Sequence, residues 1–220
     1  MVCISAGTSF TIAIRSGGSL FAWGLNTSGQ LGDGTTLDGP SPVQIGASSW
    51  AQISAGLNHT AAIKPDGTLW TWGNTTGMNL MQFPQSWISL SSTNGSHTVG
   101  IRSDNTLYAW GLNSTGQLGD GTTLNKSSPV QIGTSSWTQI NTGLNYSSGI
   151  KLDGTLWTWG TNPLGQLGHN STLNRSSPVQ VSIAGSWTSV NLSQSHSTAI
   201  NNLGRLYAWG ANPLNQLGDG

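Results

Sequence analysis

The feature that most constrains the fold of this chain is a long pattern that recurs five times along it. The plainest element of the pattern is a Trp-Gly pair, whose successive copies are 49, 38, 49 and 50 residues apart. The five pairs are Trp23-Gly24, Trp72-Gly73, Trp110-Gly111, Trp159-Gly160 and Trp209-Gly210. Self-similarity with a period of roughly 20–50 residues is the signature of solenoids, propellers and other repeat architectures. The chain is therefore predicted to be a set of equivalent structural units.

Each unit contains a predicted β-hairpin. A Leu stands three residues before the Trp of each pair, and an apolar segment that ends in Ile precedes that Leu. The five Leu residues are Leu20, Leu69, Leu107, Leu156 and Leu206. The two apolar segments are joined by turn sequences such as Asp66-Gly67 and Asp153-Gly154. Two apolar segments around an Asp-Gly turn are typical of a β-hairpin.

Two further elements complete a unit. A short apolar segment opens four of the units with Trp, and the first unit has Met1 at this place; the four residues are Trp50, Trp87, Trp137 and Trp187. After the Trp-Gly pair, intact units continue with Gly-Gln-Leu-Gly-Asp-Gly and then Ser-Pro-Val, as in residues 29–34 and 41–43. The Pro suits an edge strand, because Pro cannot donate a hydrogen bond to a neighbouring strand. Four strands in about 50 residues is the size of one propeller blade.

The composition supports an all-β chain and limits its partners. The 220 residues include 31 glycines and 11 tryptophans, and all seven acidic residues are Asp. The lack of Glu and the scarcity of Lys and Arg disfavour helical surfaces, whereas the tryptophans supply apolar surface for a core. Seven cations balance the seven acids and are spread singly along the sequence, so nucleic-acid binding is not expected. The sequence has no run of about 18 apolar residues, so the chain is predicted to be soluble and not to insert into a membrane.

The order of these motifs resembles the regulator of chromosome condensation repeat. Along one unit the order is Trp-x-x-Ile, His-Thr, Asp-Gly-x-Leu, Trp-Gly, Gly-Gln-Leu-Gly-Asp-Gly and Ser-Pro-Val, and such units cover essentially the whole chain. The resemblance implies an all-β propeller, which in this family usually has seven blades. A single propeller domain of five units is predicted here, with approximate bounds of 1–49, 50–86, 87–136, 137–186 and 187–220.

Five units leave two architectures open: a closed ring of five blades, or an arc or fragment of a larger propeller that another chain completes. The second unit lacks the Gly-Gln-Leu-Gly and Ser-Pro-Val elements, and the fifth stops before Ser-Pro-Val. An outer edge strand is therefore predicted to be dispensable. In both architectures we expect residues 1–7 to pair as a strand and Trp209 to be largely buried, because an uncovered edge or apolar face favours association.

The histidines do not predict a metal site. His59, His97 and His196 occupy one position of the repeat, but Phe10 and Tyr146 fill the same position in the other two units. A position that served as a metal ligand would not tolerate Phe, because a metal site needs converging ligands with a defined geometry. These side chains are instead predicted to lie near the axis, one per blade.

The recurring aspartates do not predict an active site. Asp33, Asp120 and Asp219 each lie in a Gly-Asp-Gly sequence, so they would lie on different blades. Carboxylate catalysis needs two such groups together in different environments, and these residues are therefore predicted to stabilise turns. His169 replaces the Asp in one unit and is predicted to be exposed. The chain is predicted to have no catalytic residue and no cofactor, and not to be an enzyme.

The tryptophans divide into a core set and a candidate binding set. Regular recurrence predicts that the Trp-Gly tryptophans form a structural core between blades: Trp23, Trp72, Trp110, Trp159 and Trp209. Trp70 and Trp157 stand where other units have Phe or Tyr, and they are predicted to form an aromatic surface for a partner. Divergent loops on a rigid scaffold often bind partners. The predicted surface therefore extends into the divergent second unit, with Asn74, Met78, Met81 and Phe83.

Together these features predict a non-catalytic propeller with a structural or recognition role. Its neutral composition, rich in Thr, Ser, Asn and Gly, resembles that of phage and bacterial surface proteins. This favours an extracellular or virion-surface protein that binds a protein, a glycan or further chains of an assembly. Resemblance to known propellers implies two alternatives. One is an intracellular propeller that promotes guanine-nucleotide exchange or docks on chromatin, and the other is a propeller that inhibits an enzyme.

Overall fold

Nineteen β-strands form five antiparallel sheets in the part of the chain that the structure describes, and no helix occurs there. This computed structural model describes residues 3–74, 77–83, 86–93, 95–181 and 185–218, with residues 77–82 described by their backbone alone. The absence of helices and the five sheets confirm the predicted all-β propeller class.

The strands follow one another in the same order in every sheet. Sheet 1 contains β1 (Cys3–Ala6), β2 (Phe10–Ile14), β3 (Ser19–Gly24) and β4 (Gly39–Ser49). Sheet 2 contains β5 (Gln52–Ala55), β6 (His59–Ile63), β7 (Leu69–Gly73) and β8 (Gly77–Phe83). Sheet 3 contains β9 (Trp87–Ser91), β10 (His97–Arg102), β11 (Leu107–Gly111) and β12 (Lys126–Gln131). Sheet 4 contains β13 (Trp137–Thr142), β14 (Tyr146–Lys151), β15 (Leu156–Gly160) and β16 (Arg175–Gln180), and sheet 5 contains β17 (Trp187–Leu192), β18 (His196–Asn201) and β19 (Leu206–Gly210).

The register of the central hairpin explains the Trp-Gly pair. In every sheet the Gly pairs with the first residue of the second strand, as Gly73 pairs with His59. Gly73 has a φ of 99°, and a Cβ atom there would lie 2.5 Å from the carbonyl oxygen of Asn58. Only glycine adopts this conformation without strain and allows so close an approach. The third strand therefore ends at this Gly, one residue after the Trp.

The sheets pack one against the next in chain order. The first strand of each sheet contacts the first strand of the following sheet, as in β1 with β5 and β13 with β17. These strands are thus the innermost, which is the arrangement of propeller blades. Apolar clusters fill the junctions; between sheets 3 and 4, for example, Val99 and Leu107 pack with Trp137 and Trp159.

The second unit, in which an outer edge strand is predicted to be dispensable, does have one. β8 pairs with β7 from Gly73–Gly77 to Leu69–Phe83, and it occupies the outer position that the Ser-Pro-Val strands hold in the other sheets. An outer strand needs only backbone hydrogen bonds to the strand beside it. A segment without the Ser-Pro-Val sequence can therefore fill this position. Sheet 5 has three strands within the described residues.

The two ends of the chain differ from the interior of the fold. β1 pairs with β2 from Cys3–Ile14 to Ala6–Thr11, whereas the first two residues of the expected strand lie outside the described part. Trp209 is partly buried. Beyond it, the far face of sheet 5 is uncovered, with Leu206 69% exposed. Whether the chain closes as a ring or is completed by another chain stays a prediction.

Candidate functional site

A cation lies over an aromatic ring at the same place in four of the five sheets. The cation is the residue that follows the Ile of the second strand, and the ring belongs to the third strand of the same sheet. The four residues are Arg15, Lys64, Arg102 and Lys151, and sheet 5 has Asn201 instead. Such a contact contributes roughly 0.5–1 kcal/mol at an exposed site. Four of the seven cations of the chain are therefore brought to equivalent positions, although the sequence spreads them singly.

The most developed of these positions is a groove between sheets 3 and 4. The Lys151 ammonium lies 3.5 Å from the ring centroid of Trp157 and 5.2 Å from that of Trp137. The groove holds about 340 Å³, and Asp120, Ile132, Ser135 and Ser177 are among the residues that line it. We call it the Lys151 groove.

The register of sheet 4 assembles the Lys151 groove. Lys151 pairs with Trp137, and Gly149 pairs with Trp157, so the lysine and both tryptophans lie on one side of the sheet. A Cβ atom at Gly149 would lie 2.6 Å from the Trp137 ring. The absence of a side chain at Gly149 therefore leaves the space that the Trp137 ring occupies.

Two charged residues of opposite sign face the Lys151 groove. Burial lowers the pKa of Lys151, and the nearby Asp153 carboxylate opposes this change. Burial would raise the pKa of Asp120, but hydrogen bonds from Thr122 and other groups outweigh it and hold that pKa below its usual value. Asp120 is also paired with Lys126 at 3.3 Å, whereas no salt bridge of Lys151 occurs within the described residues. The Lys151 ammonium is thus the charge in this groove that is open to a partner.

The groove beside Trp70 repeats this arrangement between sheets 1 and 2. Lys64 lies 4.2 Å from the Trp70 ring centroid, and the Trp70 indole N–H donates to the Thr68 hydroxyl. The Trp157 indole N–H donates in the same way to Thr155. A sugar that stacked on the covered ring face would have to displace the lysine. Both tryptophans therefore suit a partner that meets the ammonium rather than one that stacks on a free indole.

The structure does not bring the predicted partner-binding residues into one surface. Trp70 and Trp157 lie in different junctions, and Asn74 lies in a third, beside a separate cavity. Phe83 is partly buried against Trp110, with ring centroids 6.5 Å apart. The other two predicted members, Met78 and Met81, have side chains outside the described part of the chain.

The Trp-Gly tryptophans differ in burial. Trp72, Trp110 and Trp159 are at most 3% exposed. Trp23 in the first sheet and Trp209 in the last are only partly buried. Complete burial therefore goes with the three residues whose sheets have a neighbour on both sides.

The axial position holds hydrogen bonds between neighbouring sheets. His59 Nε2 is 2.9 Å from the Thr98 hydroxyl, and His97 Nε2 is 2.8 Å from the Ser147 hydroxyl. Burial lowers the pKa of His59 to about 4 and that of His97 to about 3, so both are neutral at pH 7. Among the described residues no three potential ligands come together as a metal site. The arrangement holds adjacent sheets together.

The aspartates and His169 act in loops. Asp33 accepts hydrogen bonds from Asn26 Nδ2 and from the backbone N–H and the hydroxyl of Thr35. Asp120 has the same role in its loop, whereas Asp219 lies outside the described residues. The prediction that His169 is exposed is wrong. It is half-buried, and its Nε2 lies 2.9 Å from the Thr158 hydroxyl.

A signal for the cation positions was present in the sequence. Each cation directly follows the Ile that ends a predicted strand, and in three sheets an Asp follows two residues later, as Asp153 follows Lys151. Thr155 donates two hydrogen bonds to Asp153, which lower its pKa. An alignment of the units by repeat position would have revealed that the cations share one position and that an Asp lies two residues after three of them.

Five meandering antiparallel sheets, packed through their innermost strands, define a β-propeller built from repeated blades. The Regulator of chromosome condensation (RCC1) repeat matches residues 17–63, 104–150 and 153–200, and a second form of it matches residues 1–30 and 88–117. The chain belongs to the RCC1 repeat family. In sequence, 53 residues are 43% identical to the ultraviolet-B receptor UVR8 of Arabidopsis thaliana, which is 24% of this chain and 12% of the receptor.

Solved structures give the same fold over most of the chain. Prp20p of Saccharomyces cerevisiae is 20% identical with a TM-score of 0.85, over 97% of this chain and 58% of that one. Human WBSCR16 is 20% identical with a TM-score of 0.81, over 91% of this chain and 57% of that one. This chain thus spans less than three fifths of the length of these propellers. At such identities the similarity establishes the fold alone.

Proposed function

We propose that this chain is a non-catalytic propeller that binds a protein partner, and that the Lys151 groove is part of the contact surface. The observation that carries this proposal is the Lys151 ammonium, held 3.5 Å from the Trp157 ring and facing an open groove. A cation that is already fixed on an aromatic ring loses little further side-chain freedom when it binds a carboxylate or carbonyl oxygen. The groove also offers hydroxyl groups and apolar surface from Ser135, Ser177 and Ile132.

The proposal fits what is known of the structural relatives. Prp20p is described with binding properties to Gsp1p and histones, and the same protein, yeast RCC1 (Prp20), is seen bound to Kap60. All of these partners are proteins. Neither Prp20p nor WBSCR16 is described with a glycan partner or at a virion or cell surface, and these stay predictions from the sequence. The described residues contain no helix that could cross a membrane.

The test is selection of a random peptide library on the immobilised protein. We expect enrichment of acidic peptides on the wild-type chain and loss of that enrichment with Lys151→Met, which keeps most of the side-chain volume. Arg205→Met is the matched control, because Arg205 is an exposed cation outside the cation–ring contacts. Enrichment that is the same in both variants, or no enrichment on the wild type, would show that the Lys151 groove is not a binding surface.

A second candidate is nucleotide exchange on a small GTPase, or docking on chromatin. The observation in its favour is the fold similarity to Prp20p over 97% of this chain. Its test is the release of a fluorescent guanine nucleotide from a panel of small GTPases, together with retention on immobilised histones. Faster release than the intrinsic rate, or specific histone retention, would favour this candidate over a general peptide-binding role.

A further inference from the structure

A short loop follows the third strand and seals the junction between two sheets. We call it the junction loop; it comprises residues 29–32 in sheet 1, 116–119 in sheet 3 and 165–168 in sheet 4. In sheet 3 the carbonyl oxygen of Gln117 accepts the indole N–H of Trp159 at 2.9 Å and the hydroxyl of Ser147 at 2.8 Å. The loops of sheets 1 and 4 make the same two bonds to the sheets that follow them.

The junction loop also supplies a buried aliphatic side chain. Leu31, Leu118 and Leu167 are at most 2% exposed, and each belongs to the apolar cluster of its junction. Each loop therefore gives the next sheet one carbonyl oxygen and one leucine side chain.

The second unit lacks the Gly-Gln-Leu-Gly sequence of the junction loop, and a cavity lies in the junction between sheets 2 and 3. The cavity holds about 370 Å³ and is lined by Asn74, Ser96, Trp110, Gly111, Lys126 and Ser127 among others. The indole N–H of Trp110 has no acceptor among the described residues, and the Thr98 hydroxyl meets His59 but no loop carbonyl.

The cavity corresponds to the place that the junction loop occupies between sheets 3 and 4. There, the residues that flank the loop also bond to sheet 4: the Thr115 hydroxyl donates to the carbonyl of Asn145 at 3.3 Å, and the N–H of Gly121 donates to the carbonyl of Ser176 at 2.8 Å. A Cβ atom on Gly119 would lie 2.7 Å from Nε1 of Trp159, so this loop lies against the indole.

Three residues contacted by that loop have counterparts in the cavity wall. Asn145, Trp159 and Ser176 each lie 49 residues after the corresponding residue of sheet 3. The three corresponding residues are Ser96, Trp110 and Ser127, and all of them line the cavity. The cavity is therefore the seat of a loop that this repeat does not have.

We infer that this seat binds a short, uncharged segment of a protein partner, which places a backbone carbonyl on the Trp110 indole N–H and an aliphatic side chain in the cavity beside it. The inference rests on the proposed function in that the occupant is a protein, but it uses a junction without Lys151. The segment is uncharged because the one cation of the wall, Lys126, is already paired with Asp120. The three junction loops of the chain itself show the chemistry that fits.

The experiment uses a capped peptide with the sequence of residues 114–119, Ser-Thr-Gly-Gln-Leu-Gly, and the whole protein. We expect one peptide to bind per chain by calorimetry, and binding to weaken about tenfold when the leucine of the peptide is replaced by serine. Trp110→Phe keeps an aromatic ring but removes the N–H, and we expect it to weaken binding by about tenfold as well. Arg205→Met is the control that should bind the peptide as the wild type does, because this exposed cation lies outside the cavity wall.

A loop graft gives a second, independent readout. Replacement of residues 74–76 by the sequence of residues 25–38 should fill the seat, raise the melting temperature and abolish peptide binding. If circular dichroism shows that Trp110→Phe is unfolded, the graft alone tests the inference. Equal binding of the leucine and serine peptides, or undiminished binding to the graft, would overturn the inference. Loss of acidic-peptide enrichment in Lys151→Met without any binding of the loop peptide would overturn this inference and leave the proposed function standing.

Discussion

Sheets 4 and 5 have almost the same residues on their corresponding faces, but only one of the two faces is covered. On sheet 4, Ile150 is 2% exposed and Leu156 is 1% exposed, because sheet 5 packs on them. Their counterparts on sheet 5, Ile200 and Leu206, are 39% and 69% exposed. The strand pattern is thus the same in both sheets, whereas burial comes from the neighbouring blade. An apolar residue of a repeat protein is therefore buried only where a neighbouring repeat packs on it.

The uncovered face of sheet 5 still carries an organised loop, residues 215–218, at the position that the junction loop has in sheets 1, 3 and 4. The N–H of Leu217 donates to Asn212 Oδ1 at 3.0 Å, as the N–H of Leu167 donates to Asn162 Oδ1 at 2.9 Å. The loop therefore takes its form from local hydrogen bonds, before any sheet packs on it. At the other end of the fold Ile4 is 56% exposed, so sheet 1 also presents apolar surface. Exposed apolar faces of this kind favour association.

The largest expected difference is between two tryptophans at one repeat position. Trp159 is fully buried between sheets 3 and 4, whereas Trp209 is only partly buried. Trp159→Ala should lower the free energy of unfolding by about 3–5 kcal/mol, because it leaves a cavity in a packed junction. Trp209→Ala should cost about half as much. Denaturant unfolding of both variants measures the difference, and equal losses would break the comparison between covered and uncovered faces.

A second difference concerns pH and the axial histidines. The folded protein holds His97 neutral with a pKa of about 3, below the ordinary value of 6.5, so the unfolded chain binds the proton more readily. Stability is therefore full above about pH 6.5 and falls as the pH drops toward 3, by up to about 1.4 kcal/mol per pH unit for each such histidine. His97→Phe, which introduces the residue that sheet 1 has at this position, should flatten this slope between pH 6.5 and 4.

The matched control is His196→Phe, since His196 holds the same position on sheet 5 but is partly exposed. Because the side chain is less buried, His196→Phe should change the pH dependence of unfolding less than His97→Phe does. Thermal unfolding at a series of pH values measures both variants. The same flattening in both variants would show that burial between sheets is not what keeps the axial histidines neutral.

The smallest expected effect on stability is at the uncovered face itself. Leu206→Ser should change the free energy of unfolding by less than about 0.5 kcal/mol, because the side chain is already in solvent. It should nevertheless reduce any self-association of the chain in sedimentation velocity, since it removes apolar surface. A loss of stability comparable to that of Leu156→Ala would mean that another part of the protein covers this face.

The hairpins and the blade class could be predicted from the sequence because they depend on local spacing. A Leu three residues before Trp-Gly fixes the strand register, and the recurrence of both fixes the repeat. The outer strand β8 could not be predicted, because it pairs through its backbone and lacks the Ser-Pro-Val sequence. The Lys151 groove depends on a cation meeting a ring six residues later across a hairpin turn. That contact is visible only when the units are aligned with one another.

The exchange of the indole protons measured by NMR tests the account most directly. Trp72 and Trp159 donate their indole N–H to the carbonyl oxygens of Gln30 and Gln117, so these two protons should exchange slowly with solvent. Trp110 faces a seat without a loop, and its indole proton should exchange faster although the side chain is 3% exposed. This order would support both the junction loops and the open seat. Protection of the Trp110 proton equal to that of Trp159 would contradict the account.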